Sequence, residues 1–239
     1  RKFNRRHRVN AMVGLTYDVR DVENSIYAVE DFLTMQFTTN QPAYGNVVTR
    51  PLTYVKADQQ IFSMLGRVNY TFDNKYILTA TVRRDGVSKF ANNNQYGVFP
   101  SVAFAWNAGN ERFIQNLDIF ESLKFRAGWG QIGNHGIGPY GSLSNYGVSN
   151  LYGNADGGTN VPIALQNLSN PDLTSETTEQ SNFGVDFTTL NGVVSGNIDV
   201  YDKMTKDLLQ NSEIPPSSGF TRILVNKGNI TNKGVELAL

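Results

Sequence analysis

The stretch from Tyr76 to Trp106, YILTATVRRDGVSKFANNNQYGVFPSVAFAW, decides the fold of this chain. Apolar residues alternate with polar ones on both sides of a polar, charged tip at residues 84–95. The apolar positions that share a face are Tyr76, Leu78, Ala80 and Val82 before the tip, and Val98, Pro100, Val102, Phe104 and Trp106 after it. Because successive side chains of a strand point to opposite faces, this period of two predicts two strands, each with one largely apolar face.

The same alternation recurs along the chain and predicts about eight strands. Besides the two just described, the predicted strands are Val9–Val19, Ile61–Phe72, Leu123–Gln131, Gln180–Leu190, Val194–Met204 and a last one beginning near Gly234. Short polar sequences at Asp73-Asn74-Lys75 and Asn191-Gly192 predict tight hairpin turns, because Asp, Asn and Gly accept a positive φ. A helical turn is predicted at Ser25–Leu33 and a short helix within Asn110–Phe120.

The predicted connections differ strongly in length. The long ones are Arg20–Asp58, Arg84–Gln95, Ile132–Ser175 and Lys206–Lys233. In an antiparallel meander alternate connections lie at the same end of the sheet, so all the long ones fall at one end. Outer-membrane barrels have this asymmetry, and strands of about 9–11 residues suit a tilted crossing of a bilayer. The pattern predicts an all-β antiparallel meander that forms part of a transmembrane β-barrel.

Composition excludes several other classes of protein. The 239 residues carry 21 basic and 21 acidic side chains, so no net charge steers the chain toward nucleic acid. There is no cysteine, hence no disulfide framework and no thiolate metal site. The sequence contains no run of 18 apolar residues, so no membrane helix is predicted. The start RKFNRRHR has no apolar core, so it is not predicted to be a secretory signal. Because the pattern opens without Met and stops at Val235–Leu239, we expect a piece of a longer protein.

Two other folds explain the alternation as well. A soluble β-sandwich, acting as an adhesin or glycan-binding module, would bury Phe104, Trp129, Phe183 and Phe187 in one dry core. It accounts poorly for long loops at a single end. A small barrel closed on itself would instead pair Val9–Val19 with the strand that begins near Gly234.

Several short motifs follow one another along the chain. They are RRDGVSKF (83–90), GVFPS (97–101), LKFRAGWGQIGN (123–134), NPDL (170–173) with Glu176, Thr178 and Glu179, KDLL (206–209), NKG (226–228) and NKGVE (232–236). In order and spacing they resemble the barrel signature of the SusC/RagA-type TonB-dependent transporters over most of Ile61–Leu239. Val87, Lys89, Ala91 and Ser175 depart from the family's usual residues without changing the strand pattern.

The resemblance implies a barrel of about 22 strands with a plugged lumen in the outer membrane. It also implies energy-coupled import of glycans or oligopeptides through contact with the TonB complex, a SusD-like surface lipoprotein over the external loops, no catalysed reaction and no cofactor. About eight strands fall within residues 1–239, which we predict to be one partial barrel domain. The plug, the TonB box and the other strands are not matched in it.

Candidate ligand-binding residues lie in the longest predicted loop. They are Tyr140, Asn145, Tyr146 and Tyr152, together with Asn150 and Asn154. Tyr rings offer flat apolar faces and amides offer paired donors and acceptors, which suits sugar recognition. The alternative interpretation is a loop with generic Tyr and Asn.

Cations recur at polar positions of the predicted strands or at their rims, notably Arg67, Arg83 and Arg126, with Arg84 and Lys124 nearby. Pairing with carboxylates of a plug and ordinary hydrated lumen charge both explain them.

The segment GIGPYG (136–141) fits a dinucleotide fingerprint, but loop composition follows where a helix is required. The histidines, His7 and His135, lack Cys partners, so a metal site is not predicted. The acidic Asp172, Glu176 and Glu179 are interpreted as a solvated rim.

Overall fold

One antiparallel sheet of nine strands carries the fold. The computed structural model describes residues 2–3, 6–32, 45–148, 152–153, 159–160 and 163–239. Its strands are β1 (Lys2–Phe3), β2 (His7–Phe32), β3 (Gly45–Phe72), β4 (Tyr76–Val87), β5 (Tyr96–Asn107), β6 (Phe120–Asn134), β7 (Tyr146–Val148), β8 (Tyr152–Gly153), β9 (Thr159–Asn160), β10 (Ile163–Leu165), β11 (Glu176–Thr189), β12 (Val194–Lys206), β13 (Leu209–Glu213), β14 (Arg222–Asn226) and β15 (Asn229–Ala238). The order in the large sheet is β1-β2-β3-β4-β5-β6-β11-β12-β15, which confirms the predicted meander.

The remaining strands form small sheets inside the long connections. β7 pairs with β10, β8 with β9, and β13 with β14. The segments predicted as irregular, Ile132–Ser175 and Lys206–Lys233, therefore contain local hairpins. The predicted short helix is confirmed as α1 (Arg112–Gln115), which follows a 3-10 turn at Ala108–Asn110, and a second 3-10 turn spans Pro216–Ser218. Among the described residues no helix is long and apolar enough to cross a membrane.

The prediction for Arg20–Asp58 was largely wrong. β2 continues to Phe32 and β3 begins at Gly45, so the helical turn predicted at Ser25–Leu33 is strand through residue 32, while residues 33–44 lie outside the described part. Backbone hydrogen bonds can extend a strand pair where neither face is consistently apolar, and hydrophobic alternation then gives no signal. Residues 18–60 form one compact unit, and residues 1–17 with 61–239 form the other.

Both predicted tight turns are present in the larger unit. Asp73 and Asn74 have φ values of 51° and 53° between β3 and β4, and the Lys75 amide donates to the Phe72 carbonyl at 2.9 Å. Asn191 and Gly192 have φ values of 54° and 81° between β11 and β12. These left-handed conformations explain the choice of Asp, Asn and Gly at the turns.

The apolar face of the sheet is exposed. Its large side chains with considerable exposure are Phe62, Met64, Val68, Leu78, Val82, Val102, Phe104, Phe183, Ile198, Val200, Val235 and Leu237. Phe104 and Phe183, which a sandwich would bury in one core, are 44% and 50% exposed. The sandwich alternative is therefore wrong. Within the described residues β2 pairs with β1 and β3, and β15 pairs with β12, which does not support a small barrel closed by these strands.

The boundary of the apolar face runs obliquely across the strands. One cross-strand row joins Val102 to Trp129, Ser181, Asp202 and Lys233, so it is apolar on β5 and ionic on β12 and β15. Lys233 Nζ lies 2.8 Å from Asp202 Oδ2. Cross-strand rows run perpendicular to the strands. The change from apolar to ionic residues along one row therefore means that the strands are tilted relative to the apolar band, as in a barrel wall.

Aromatic rings form a ladder at the end of the sheet with short turns. Ring centroids are 4.9 Å apart for His7 and Phe72, 6.2 Å for Phe72 and Tyr76, 6.4 Å for Tyr76 and Trp106, and 5.5 Å for Trp106 and Phe125. Such rings are typical of the headgroup level of a bilayer.

A polar clamp lies beside this ladder. The Asn74 carbonyl accepts from Asn107 Nδ2 at 2.9 Å, and Lys75 Nζ lies 2.7 Å from Glu111 Oε2. The Tyr76 hydroxyl donates to Glu111 Oε1 at 2.8 Å. The hydrogen bonds from Lys75 and Tyr76 lower the pKa of Glu111 from its ordinary value. Glu111 therefore ties the turn after β3 to the connection after β5.

We expect Glu111→Gln to reduce the decrease in the free energy of unfolding as the pH falls. The ordinary Glu pKa is about 4.3, and the folded-state pKa is lower, so the stabilisation is complete above the unfolded-state value. It is lost as the pH falls through the folded-state value. Urea unfolding of the full-length protein in lipid vesicles, from about pH 7 to about pH 3, measures this. Glu121→Gln, at an exposed carboxylate of β6, is the control for the loss of one negative charge; equal slopes for wild type and Glu111→Gln contradict the prediction.

The Phe99 ring lies against glycines of β5 and β6. A methyl group at Gly133 on β6 would overlap the Phe99 ring, which is only 7% exposed. We expect Gly133→Ala to destabilise the wall by about 1–3 kcal/mol, because the ring has little room to move. Gly66→Ala on β3 is the matched control, since nothing lies within 4 Å of a methyl group there. Denaturant unfolding measures both, and equal free energies of unfolding would contradict this account.

Candidate binding face and external loop cluster

The face opposite the apolar one is built from polar and small residues. One cross-strand row joins Arg67, Thr81, Ser101, Gly130 and Gln180. Each strand contributes one residue, because every pair of strands is in antiparallel register. A surface of this composition is suited to contact with water or polar ligands rather than to a dry core.

Arg83 is neutralised on this face. Its Nε donates to Asp85 Oδ1 at 2.6 Å, and its Nη2 donates to Ser63 Oγ at 3.3 Å. The Asp85 side chain is 6% exposed whereas that of Arg83 is 51% exposed. The guanidinium thus compensates a buried carboxylate.

Arg126 is neutralised by two carboxylates on neighbouring strands. Its Nε donates to Asp186 Oδ2 at 2.9 Å, and its Nη2 donates to Asp186 Oδ1 at 2.7 Å and to Asp199 Oδ2 at 3.1 Å. Asn197 Nδ2 also donates to Asp199 at 2.7 Å. This fork-to-carboxylate geometry crosslinks β6, β11 and β12.

Arg67 differs from the other two predicted arginines. Its Nε donates to Thr81 Oγ1 at 3.1 Å, and the side chain is exposed. It borders a cavity of about 390 Å³ on the polar face, whose lining includes Arg83, Phe99 and His135. The structure thus places Arg67 and Arg83 at one cavity, and Arg126 lies outside its lining.

The connections at the other end of the sheet share a small core. Val87, Phe90, Ile137 and Leu173 are buried together, and the partly buried Ile61, Leu209 and Leu224 pack against them. These residues come from β3 and β4, from the connections that follow β4, β6 and β10, and from the paired strands β13 and β14. We call them the loop cluster. Their contact supports the expectation that the long connections lie at one end.

Side-chain amides join the loop cluster. Asn170 Nδ2 donates to the Leu224 carbonyl at 2.8 Å. Asn226 accepts from the Thr174 amide at 2.9 Å and donates back to the Thr174 carbonyl at 3.0 Å. Glu176 Oε1 accepts from the Leu209 amide at 2.9 Å, so this residue, predicted as part of a solvated rim, closes the base of the cluster.

His135 lies where the cavity meets the loop cluster. Its Nδ1 is 2.9 Å from Ser175 Oγ, and its ring packs edge-on against Phe90 with centroids 6.2 Å apart. Burial lowers the pKa of His135, although the nearby Asp85 carboxylate acts in the opposite direction. The neutral imidazole is therefore favoured at neutral pH.

The predicted ligand residues stand outside this core. Tyr146, on β7, is 73% exposed, and Tyr140 is 45% exposed with φ 56°. The Asn145 amide donates to Asn167 Oδ1 at 2.9 Å. Tyr152 lies on β8, where it pairs with Asn160. The predicted Asn150 and Asn154 lie outside the described residues.

Sequence reasoning missed the residues that hold the loops together. Leu173 and Asn226 belong to the motifs NPDL and NKG, but isolated residues in loops have no period that predicts burial. In the described ranges no group of three or more His, Cys, Asp or Glu is arranged to hold a metal ion.

An antiparallel wall with one exposed apolar face, one polar face, short turns at one end and packed loops at the other defines a β-barrel section. Comparison with known families gives the same answer. The family described as TonB dependent receptor-like, beta-barrel matches residues 2–239, and the chain belongs to this family.

Individual relatives agree with that assignment. The chain is 32% identical over 233 residues to TonB-dependent receptor P3 of Formosa agariphila, covering 98% of this chain and 23% of that protein. It is 36% identical over 182 residues to TonB-dependent receptor SusC of Bacteroides thetaiotaomicron, covering 75% of this chain and 18% of SusC. The chain thus spans about a quarter or less of the length of these relatives.

A solved structure shows the same fold. The RagAB peptide importer in its closed-closed state matches 99% of this chain and 26% of the solved chain, with a TM-score of 0.84 and 26% sequence identity. The structural match therefore covers essentially the whole wall section described above.

Proposed function

We propose that this chain forms part of the wall and external loops of an outer-membrane TonB-dependent transporter that imports oligopeptides or glycans without catalysing a reaction. The observation that carries the proposal is the sheet itself, whose exposed apolar face and ion-paired polar face suit lipid and water respectively. In this arrangement the apolar face contacts lipid, the polar face lines the lumen and the loop cluster points outward.

The substrate class follows from the family likeness. A structural neighbour is a peptide importer, which supports oligopeptides. The resemblance of the motifs to the SusC type supports glycans. The exposed Tyr146 and Tyr140, with Asn145 and Tyr152, are proposed as ligand contacts because they stand on the proposed external side of the wall.

The proposed partners are the TonB complex and a SusD-like surface lipoprotein over the loops. Since the chain spans a fraction of its relatives' length, we propose that residues 1–239 are one partial barrel domain. The plug and the other strands of the barrel belong, on this proposal, to the rest of the protein.

Membrane fractionation and growth of a deletion strain test the proposal together. The full-length protein should sediment with outer membranes and need detergent for release. A strain lacking it should grow more slowly when oligopeptides, or alternatively one glycan, are the limiting nutrient. Recovery of the full-length protein in an aqueous lysate without detergent would reject the membrane wall.

Tyr146→Ala tests the proposed external contact. A stacking contact of about 0.5–1.5 kcal/mol corresponds to an increase of about two- to tenfold in the dissociation constant of the imported ligand. Ile163→Ala is the matched control, because Ile163 is equally exposed on the paired strand β10 but has no aromatic face. Equal ligand affinity in all three proteins would remove Tyr146 from the site.

A further inference from the structure

The three arginines of the polar face are not equivalent, and their hydrogen bonds show the difference. Arg83 forms an ion pair with Asp85, and Arg126 forms ion pairs with both Asp186 and Asp199. No ion pair joins Arg67 to a carboxylate within the part of the chain that the structure describes. Within the described ranges, two of the three guanidinium charges are thus balanced by carboxylates of the wall and that of Arg67 is not.

The position of Arg67 favours an external partner over plain hydration. The bond from Nε to Thr81 Oγ1 fixes one edge of the guanidinium plane at 3.1 Å. Among the described residues the two terminal nitrogens of Arg67 have no acceptor, so they can donate in the parallel arrangement that matches a carboxylate. Because one edge is already held, less side-chain entropy is lost when a carboxylate binds.

The surroundings of Arg67 provide room and additional donors. The cavity of about 390 Å³ is lined by the hydroxyl-bearing Thr81 and Ser101 and by the apolar Leu65 and Phe99. Asp85, a carboxylate in the cavity lining, is already bound to Arg83. As far as the described residues show, the cavity therefore offers an uncompensated guanidinium, hydrogen-bonding groups and an apolar wall, a composition typical of small-ligand sites.

The geometry points to Arg67 and its cavity as a carboxylate-binding site of the lumen. The inference rests on the proposed function in that the polar face is the lumen. The carboxylate has two possible sources with the same chemistry. One is an acidic side chain of another part of the same protein, and the other is a carboxylate group of the imported ligand.

Arginine modification in the purified full-length transporter tests the site directly. Phenylglyoxal reacts with free guanidinium groups, and mass spectrometry of peptides gives the rate at each arginine. Arg83 and Arg126 serve as paired references, and N-acetylarginine serves as the free reference. A charge-assisted pair worth about 1.5 kcal/mol or more slows the reaction at Arg67 by about tenfold or more.

The two sources give different results. Protection without added ligand assigns the carboxylate to the protein. Protection only after a mixture of peptides with free carboxyl groups is added, and not after the same mixture is methyl-esterified, assigns it to the ligand. If Arg67 reacts as fast as N-acetylarginine under all of these conditions, the site does not exist.

Two variants separate ionic binding from simple coverage of the side chain. Where protection needs no ligand, Arg67→Gln should lower the unfolding midpoint and Arg67→Lys should restore part of it, because lysine keeps the charge but not the fork. Identical unfolding midpoints for wild type and both variants indicate steric coverage and overturn the assignment.

Where protection needs peptide, the Arg67→Gln protein should bind free and esterified peptides equally. An unchanged preference for the free acids overturns the assignment of the site. Transport and membrane insertion can persist in every case, so failure here is distinct from failure of the proposed function.

Discussion

Val102→Lys should destabilise the full-length protein in lipid vesicles by about 2–4 kcal/mol, because it places an ammonium group in the middle of the apolar face. Val102 is 42% exposed, and its cross-strand row continues through Ala80 on β4. The next row towards the short-turn end, through Phe104, Phe183 and Val200, is apolar throughout. Urea unfolding from vesicles, followed by tryptophan fluorescence, measures the loss.

The neighbouring residue provides a matched control. Ala103 lies on the same strand with its side chain on the opposite, polar face, where it borders a cavity with Thr79 and Gly128. Ala103→Lys should change the free energy of unfolding by less than about 1 kcal/mol, since the ammonium group stays hydrated in the lumen. If both lysines have the same small effect, the Val102 face does not contact lipid.

Leu173→Ala should open the loop cluster without unfolding the sheet. The Leu173 side chain is completely buried, at 0% exposure, between Val87, Phe90 and Ile137. Removing a fully buried leucine side chain leaves a cavity and costs about 2–5 kcal/mol. Hydrogen exchange of the full-length protein should therefore accelerate at the amides of Leu173 and Leu209, while amides within β4 and β5 keep their protection.

Leu143→Ala is the control for this experiment. Leu143 lies in the same connection but is 48% exposed, so its truncation creates no buried cavity. We expect no measurable change in exchange at the loop cluster. Acceleration that spreads equally into β4 and β5 would show that the cluster and the sheet unfold as one unit.

The strand pattern was readable from sequence because each strand separates two different environments. Val98 to Trp106 on β5, or Val194 to Met204 on β12, must alternate to keep apolar groups on one face. The turn at Asn191-Gly192 was equally readable, because its backbone requires residues that accept positive φ. The extensions of β2 and β3 could not be read from the sequence, since they have no consistently apolar face and therefore no hydrophobic alternation.

The partners of the candidate site residues depend on register, which alternation alone does not provide. Arg126 and Asp199 are separated by 73 positions in the sequence and meet only because β6, β11 and β12 pair in one particular register. The distinction between Arg67 and Arg83 has a different origin, because Arg83 binds Asp85 two positions away on its own strand β4. Sequence identified these side chains as facing one medium, and the structure shows which of them already have a counterion.

The oblique boundary between apolar and ionic positions has a consequence for biogenesis. If β12 slipped by one residue against β15, every side chain of one strand would change faces, and the Asp202–Lys233 pair would be broken. On the proposed membrane placement, polar side chains of β12 such as Asp199 and Lys203 would then face hydrocarbon. A lipid bilayer would therefore disfavour the misaligned pairing before the wall is complete.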